Sequence, residues 1–421
     1  MKKINKCLVL ILTPLILKAS NLNELIELSL KNESYLIKEL QNLQSIAQKD
    51  AAFNAYLPSL SLNSGYMANN KDRSLIDPNE SLFSRLSLNF LLYDGGKREA
   101  HIKSLKLKEI LTRLDKKEQK NLLALSATTL YFNYLSLEEI VKANEQKKAF
   151  LKQNLIRLEN FHKAGLSAKD ELESIRAKYH LASLELSQNL LKIENLKKEL
   201  FILATKEFTP LGKASLKEPR KSQSQNIKVL KAKEQIYLAN EGVSMARAEF
   251  FPKFFVQNHL SFYENNHNPK IPAPYQNLGA EMFNKSGTTN QILLGLEWKI
   301  FDFGARNKEL ESKRLNVQIQ KANYALLKRQ NEEELKYLEK NLSVLKEQIK
   351  ALKYSLNAAN LAYESVDRKY NAGLCSYVEY LGALELKFKA LSDLELAKNE
   401  LEITKANYYF TAGLEINKEI E

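Results

Sequence analysis

The side chains able to do chemistry are scattered along this chain. Five histidines, His101, His162, His180, His259 and His267, fall at intervals that match no metal-ligand spacing. Beyond the first twenty residues only Cys375 carries a thiol, so the exported chain can form no intrachain disulfide. The run Gly95-Gly96-Lys97 could bind phosphate, but it lacks the loop length of a phosphate cradle. Aspartate and glutamate are abundant, yet they interleave with lysine and arginine in helical periods, which is the pattern of a solvated helix face. The 63 basic and 50 acidic residues leave a net charge of +13, and the same interleaving argues against a nucleic-acid surface. No catalytic set, cofactor, metal or nucleic-acid partner is expected.

What repeats is structural punctuation. "FLLYDGGKRE" at Phe90–Glu99 and "WKIFDFGARN" at Trp298–Asn307 each run apolar residues into an aromatic–Asp pair, then a glycine, then charges. Tyr93, Asp94 and Gly96 match Phe301, Asp302 and Gly304 at an offset of 208. "FHKAGLSAKDELES" (Phe161–Ser174) matches "KYNAGLCSYVEYLG" (Lys369–Gly382) at the same offset, while Pro58 and Pro252 differ by 194. A duplication is the economical reading, with the length difference between each proline and its aromatic–Asp pair.

Each half holds two segments with a period of two. Leu60, Leu62 and Tyr66 oppose Ser59, Ser61, Asn63 and Gly65, and Leu82, Leu86, Leu88, Phe90 and Leu92 oppose Arg85, Ser87 and Asn89. In the second half Phe254, Val256, Leu260 and Phe262 oppose Lys253, Gln257, His259 and Ser261. There Ile292, Leu294, Leu296, Trp298 and Ile300 also oppose Gln291, Gly295, Glu297 and Lys299. Segments of this length and alternation fit transmembrane β-strands, and two amphipathic hairpins on a soluble core are the alternative. Asn-, Pro- and Gly-rich loops join the strands of each pair.

The rest reads as helix. Lys97–Ala164 and Ala305–Lys369 contain neither Gly nor Pro. Leu335, Leu338, Leu342, Leu345, Ile349, Leu352, Leu356 and Ala359 recur at steps of three and four, a coiled-coil seam. Gly165 and Gly373 break the long helices, and helical periodicity then resumes to about Leu203 and Tyr409. The expected layout has a signal peptide at 1–20, a first repeat at 21–203 (hairpin 57–93, turn 163–167) and a linker at 204–223. A second repeat follows at 224–413 (hairpin 251–302, turn 371–376), then a tail at 414–421. The junction residues are read as strand-to-helix hand-overs: the aromatic at the membrane interface, Asp as helix cap, Gly for the bend.

The first twenty residues place Lys2, Lys3 and Lys6 before an apolar run from Cys7 to Leu17, the layout of a secretory signal, with a retained anchor as the alternative. Cys7 lacks the residues that precede a lipidated cysteine. Four strands cannot close a barrel, and an open edge in lipid leaves backbone groups unpaired. Two copies would supply eight strands and a filled lumen, whereas three would supply twelve and room for a pore. Polar positions such as Arg85, Lys253 and Glu297 favour the pore, hence a homotrimer.

The doubled helix–hairpin–helix plan, the "YDGG" and "FDFG" junctions and the paired "AGL" turns resemble TolC-like outer-membrane efflux proteins over nearly the whole exported chain. The resemblance implies a trimeric 12-stranded transmembrane β-barrel, four strands per chain, continued by a long α-helical coiled-coil barrel in the periplasm. It implies a passive exit duct for drugs and other small molecules in the outer-membrane lipid. A periplasmic adaptor and an inner-membrane pump, of the resistance-nodulation-division or ABC type, would serve it. Type I protein secretion is the second reading, and a coiled-coil surface adhesin is a third of another class. By the same resemblance the turns Ala164, Gly165, Leu166 and Ala372, Gly373, Leu374 would dock the adaptor, or simply turn the chain. Glu171 and Glu379, six residues after the glycines, would form carboxylate rings at the entrance under threefold symmetry, or lie on an ordinary helix face. Gly382 replaces a second family acid, so a double ring is not expected. Tyr370 matches an entrance-latch position, with His162 as its repeat counterpart and packing between helices as the alternative. Cys375 stands where some relatives carry a basic latch residue.

Overall fold

A computed structural model describes residues 21–69, 79–212, 214–220, 226–266 and 286–421. The signal-peptide reading, His267 and most of both hairpin loops lie outside the described residues. The elements in chain order are α1 (Leu22–Ser29), α2 (Glu33–Asn54), β1 (Ser59–Ala68), β2 (Glu80–Tyr93), α3 (Lys97–Lys163) and α4 (Lys169–Ala204). They continue with α5 (Ile227–Ala248), β3 (Lys253–Asn266), β4 (Ser286–Glu297), α6 (Ala305–Asn371) and α7 (Tyr377–Ala412), and a short 3-10 turn at Ile416–Lys418. Lengths recur in pairs: α3 and α6 have 67 residues each, α4 and α7 have 36, α2 and α5 have 22. No helix among the described residues is long and apolar enough to cross a membrane.

The chain divides into two compact units. One holds the residues to Leu36, Lys117–Asn226 and Gln330–Glu421; the other holds Ile37–Lys116 and Ile227–Arg329. The second contains the whole sheet, antiparallel in the order β1-β2-β3-β4. Its register puts odd residues opposite odd residues, as in Arg85↔Ser261 and Ser261↔Thr289, until a bulge between Leu91 and Tyr93 sets Tyr93 opposite Phe254. One face is therefore apolar and the other mainly polar, as the alternation required. Leu60, Leu62, Ile292 and Leu294 on the apolar face are 65–72% exposed in the chain, an apolar surface of the kind that lipid or a partner covers.

On the other face Gly65, Phe83, Tyr263 and Gly287 form one row across the four strands. The aromatic side chains lie over the glycines of the two edge strands: Phe83 Cζ at 2.8 Å from where a Cβ on Gly65 would stand, and the Tyr263 hydroxyl and Cζ at 2.6 and 2.7 Å from one on Gly287. A side chain on either glycine would displace its neighbour's ring. β4 stops at Glu297, so Trp298 and Ile300, expected as strand residues, lie beyond it. There Trp298 gives its indole N–H to the Phe250 carbonyl at 3.2 Å instead of joining a ladder.

The first unit is helical. Its main core joins Leu22, Leu25 and Ile26 to Leu123, Tyr131, Leu200, Leu216, Tyr409 and Ile416, none more than 6% exposed. Among the seam residues of α6, Leu338, Leu342, Leu345, Ile349 and Ala359 are buried, as the three-and-four spacing predicts. The linker and the C-terminus pair through a bridge between Leu216 and Ile420. The Glu402 carboxylate secures that bridge, accepting Leu216 N–H at 2.8 Å and the buried Lys405 ammonium at 2.9 Å.

Candidate functional site

Two sets of paired features stand out, one in each unit. In the sheet unit, each strand hands over to its long helix through an Asp–Arg clasp. Asp94 is 4% exposed, and its Oδ2 accepts the backbone N–H of Arg98 at 3.1 Å. The Arg98 guanidinium reaches back to the carbonyls of Leu91 and Leu92, at 2.7 and 3.0 Å, and lies over the Tyr56 ring. The second junction repeats this at the same offset. Asp302 accepts from Arg306 N–H at 3.2 Å and from Arg306 Nε at 2.6 Å, while Arg306 donates to the carbonyls of Glu249 and Ile300 and covers Phe250. Burial raises the Asp302 pKa, but the hydrogen bonds and charge of Arg306 outweigh it and hold the carboxyl below its ordinary value.

The aspartates thus serve the first turn of each helix, though from two residues ahead of the glycine that precedes it, rather than as formal caps. Arg98 and Arg306 were not singled out from sequence. The signal was present: Asp and Arg four apart, twice, 208 residues from each other. Tyr93 and Phe301 flank the clasps, 43% and 71% exposed, Tyr93 against Phe254 and Phe301 against Phe303. Gly96 and Gly304 both take positive φ, 87° and 82°, a conformation that favours glycine.

In the helical unit, the two turns share one backbone. Gly165 N–H bonds to the His162 carbonyl at 3.0 Å and Leu166 N–H to the Phe161 carbonyl at 2.8 Å. Gly373 and Leu374 repeat both bonds, to Tyr370 and Lys369, at the same distances. This is a Schellman ending, with glycine at φ 73° and 74°. Ala164 and Ala372 are exposed beside them, and Leu166 and Leu374 are 75% and 76% exposed, bare apolar side chains at both turns. Even the small bonds match: Ser167 Oγ to the Leu158 carbonyl, Cys375 Sγ to the Val366 carbonyl.

The side chains then diverge. Glu379 completes a capping box with Ser376: its carboxylate accepts Ser376 N–H at 3.0 Å, and Ser376 Oγ accepts Glu379 N–H at 3.2 Å. Glu171 holds the equivalent exposed position, but the cap residue there is Ala168, which offers no side-chain oxygen. Tyr370 stacks on Tyr380 at 4.6 Å, touches Tyr377, and lies under the Arg157 guanidinium, which also covers Phe161. Those are packing contacts, in a cluster with Leu158, Leu172, Ile175 and Leu381. The Tyr377 hydroxyl is buried without a hydrogen-bond partner, and burial pushes its pKa up. His162 Nδ1 lies 3.0 Å from the Ser167 carbonyl. Among the described residues no three His, Cys, Asp or Glu side chains gather as a metal-ligating cluster.

Residues 219–414 match the family of outer membrane efflux proteins. No curated protein sequence matches the chain. Solved structures match it in fold. The Campylobacter jejuni CmeC outer membrane channel covers 94% of this chain and 86% of its own, with a TM-score of 0.80 and 18% identity. The outer membrane protein VceC of Vibrio cholerae covers 94% and 96%, at 0.79 and 15%. The open state of the Neisseria gonorrhoeae MtrE outer membrane channel covers 94% and 90%, at 0.72 and 17%. The chain has the fold of the outer-membrane efflux channels, and its resemblance to TolC-like proteins holds by family match and by structure. The solved structures that it matches are outer membrane channels and proteins.

Proposed function

We propose that three copies of this chain form a passive exit duct, a 12-stranded barrel continued by a helical barrel, in a tripartite efflux system. The observation that carries the reading is the sheet itself: four strands, an apolar face exposed on one side, and edges β1 and β4 without a partner strand among the described residues. In lipid such edges must be paired, and the simplest partner for β4 of one copy is β1 of the next. The equal lengths of α3 and α6 and of α4 and α7, at one offset, support an internal duplication. A duplicated chain in three copies presents near-sixfold helices to its surroundings.

In this reading the exposed Leu166 and Leu374 of the turns meet a periplasmic adaptor that links the duct to an inner-membrane pump. Glu171 and Glu379 ring the entrance and favour cations. Energy comes from the pump, and this chain performs no chemical step. Drugs and other small molecules are the cargo.

The test is a clean deletion strain, with complementation, exposed to hydrophobic antibiotics, dyes and bile salts. Broad hypersensitivity restored by the gene supports drug efflux. Unchanged susceptibility together with a lost secreted protein would replace small-molecule export with protein secretion.

A further inference from the structure

We propose that Arg85 is the charge-selecting residue of the strand lumen, and that it favours anionic permeants carrying a carboxylate, sulfonate or phosphate group. The inference rests on the trimeric duct proposed above. On the polar face of the sheet Arg85 shares a row with Asn63, Ser261 and Thr289. The next row is Ser61, Ser87, His259 and Gln291. Each row offers hydroxyls and an amide, the second adds the His259 imidazole, and neither contains a carboxylate.

The side chain is held yet uncompensated. Arg85 Nε–H donates to Ser261 Oγ at 3.1 Å, a cross-strand anchor, and among the described residues no ion pair neutralises the guanidinium. The remaining N–H groups of the fork stay available on an exposed residue. His259 is steadied the same way, with Nδ1 3.0 Å from Ser87 Oγ. Among the described strand residues the one acid on this face is Glu297, directly opposite Lys253. It lies eight positions along β4 from Thr289, about 26 Å at the rise of a strand. That distance exceeds two screening lengths at physiological salt, so Glu297 does not cancel Arg85.

Three copies would therefore set a cationic band on rigid strands, in water, with hydrogen-bond donors on either side. Rings of arginine act as anion filters, by the same physics that makes carboxylate rings favour cations. The sheet and the turns then carry filters of opposite sign: Arg85 in one unit, Glu171 and Glu379 in the other.

The test is the reversal potential of the purified full-length protein in planar bilayers, under gradients of potassium chloride and potassium glutamate at low salt. Native protein, Arg85→Gln, Arg85→Lys and Arg85→Glu are compared, each also with Glu171→Gln and Glu379→Gln. Arg85→Gln should lower the anion-to-cation permeability ratio by roughly threefold, the scale that three charges across a water-filled lumen supply. Arg85→Lys should keep the ratio, and Arg85→Glu should move it further in the direction of Arg85→Gln. An unchanged ratio for Arg85→Gln and Arg85→Glu in both backgrounds, with native-sized channels, overturns the inference and leaves the duct standing. Absence of channels in the native protein overturns the duct, and this inference with it.

Discussion

The two strand-to-helix junctions use the same clasp in different surroundings. At the first, Asp94 is 4% exposed and Gly95 has no room: a Cβ there would stand 2.5 Å from the Ala248 carbonyl oxygen and 2.9 Å from Phe251 Cβ. At the second, the position equivalent to Gly95 is Phe303, held at φ 53° and 93% exposed, and Gly304 has nothing within 4 Å. The Arg98 Nε lies 3.3 Å from Asp94 without a hydrogen bond, whereas Arg306 Nε donates to Asp302 at 2.6 Å. The clasp is thus what the hand-over requires, since both junctions keep it. The packing around it is what each position in the chain supplies: the first junction lies against Ala248 and Phe251, and the second leaves aromatics bare.

This contrast can be broken by substitution. Asp94→Asn leaves the Arg98 charge inside a buried pair and should cost about 3 kcal/mol of unfolding free energy. Asp302→Asn, in its more open setting, should cost visibly less, as read by thermal unfolding of the detergent-purified protein. Equal losses would mean that burial does not distinguish the junctions. Gly95→Ala should cost about 3 kcal/mol, from positive φ combined with steric overlap. Gly304→Ala should cost about 1–2 kcal/mol, from the left-handed backbone alone. A Gly304→Ala loss as large as that of Gly95→Ala would show that the second junction is covered by something outside the chain.

Acid sharpens the same point. Asp302 is held below its ordinary pKa, so its contribution is present above the unfolded value and disappears as pH falls through the folded one. Melting temperature should hold from pH 7 to about 5 and drop below about 4, the ordinary aspartate range. Asp302→Asn should flatten part of that drop, and an identical acid limb in the variant would remove the clasp from the account.

The turns give the smallest effects. Ser376→Ala should lower stability by about 1 kcal/mol through loss of the capping box. Ala168→Ser, which hands Glu171 a partner of the kind Glu379 already has, should raise it by about 0.5–1 kcal/mol. If Ala168→Ser stabilises nothing, the two turns differ by more than their caps.

Much of this was legible because it rests on period and punctuation. Strand alternation placed the two faces of the sheet, and the three-and-four spacing from Leu335 to Ala359 named the buried seam of α6. The glycines Gly165 and Gly373 marked both helix ends, since a Schellman ending needs positive φ at that residue. Trp298 and Ile300 were misplaced because alternation continues past the point where pairing stops, and only cross-strand partners reveal that end. Arg98 and Arg306 escaped notice because an Asp–Arg pair four apart is common on any exposed helix. Here its value comes from reaching back to strand carbonyls, a three-dimensional fact. The role of Glu379 as a capping carboxylate was hidden for a related reason, since Ser376 and Glu379 look like ordinary polar residues until the helix start between them is known.

The most direct measurement is the native mass of the full-length protein extracted from outer membranes in mild detergent. The account predicts three chains per particle, because the free edges of β1 and β4 need partners in lipid. A stable, folded single chain, with both edges open and the apolar face in detergent, would contradict it.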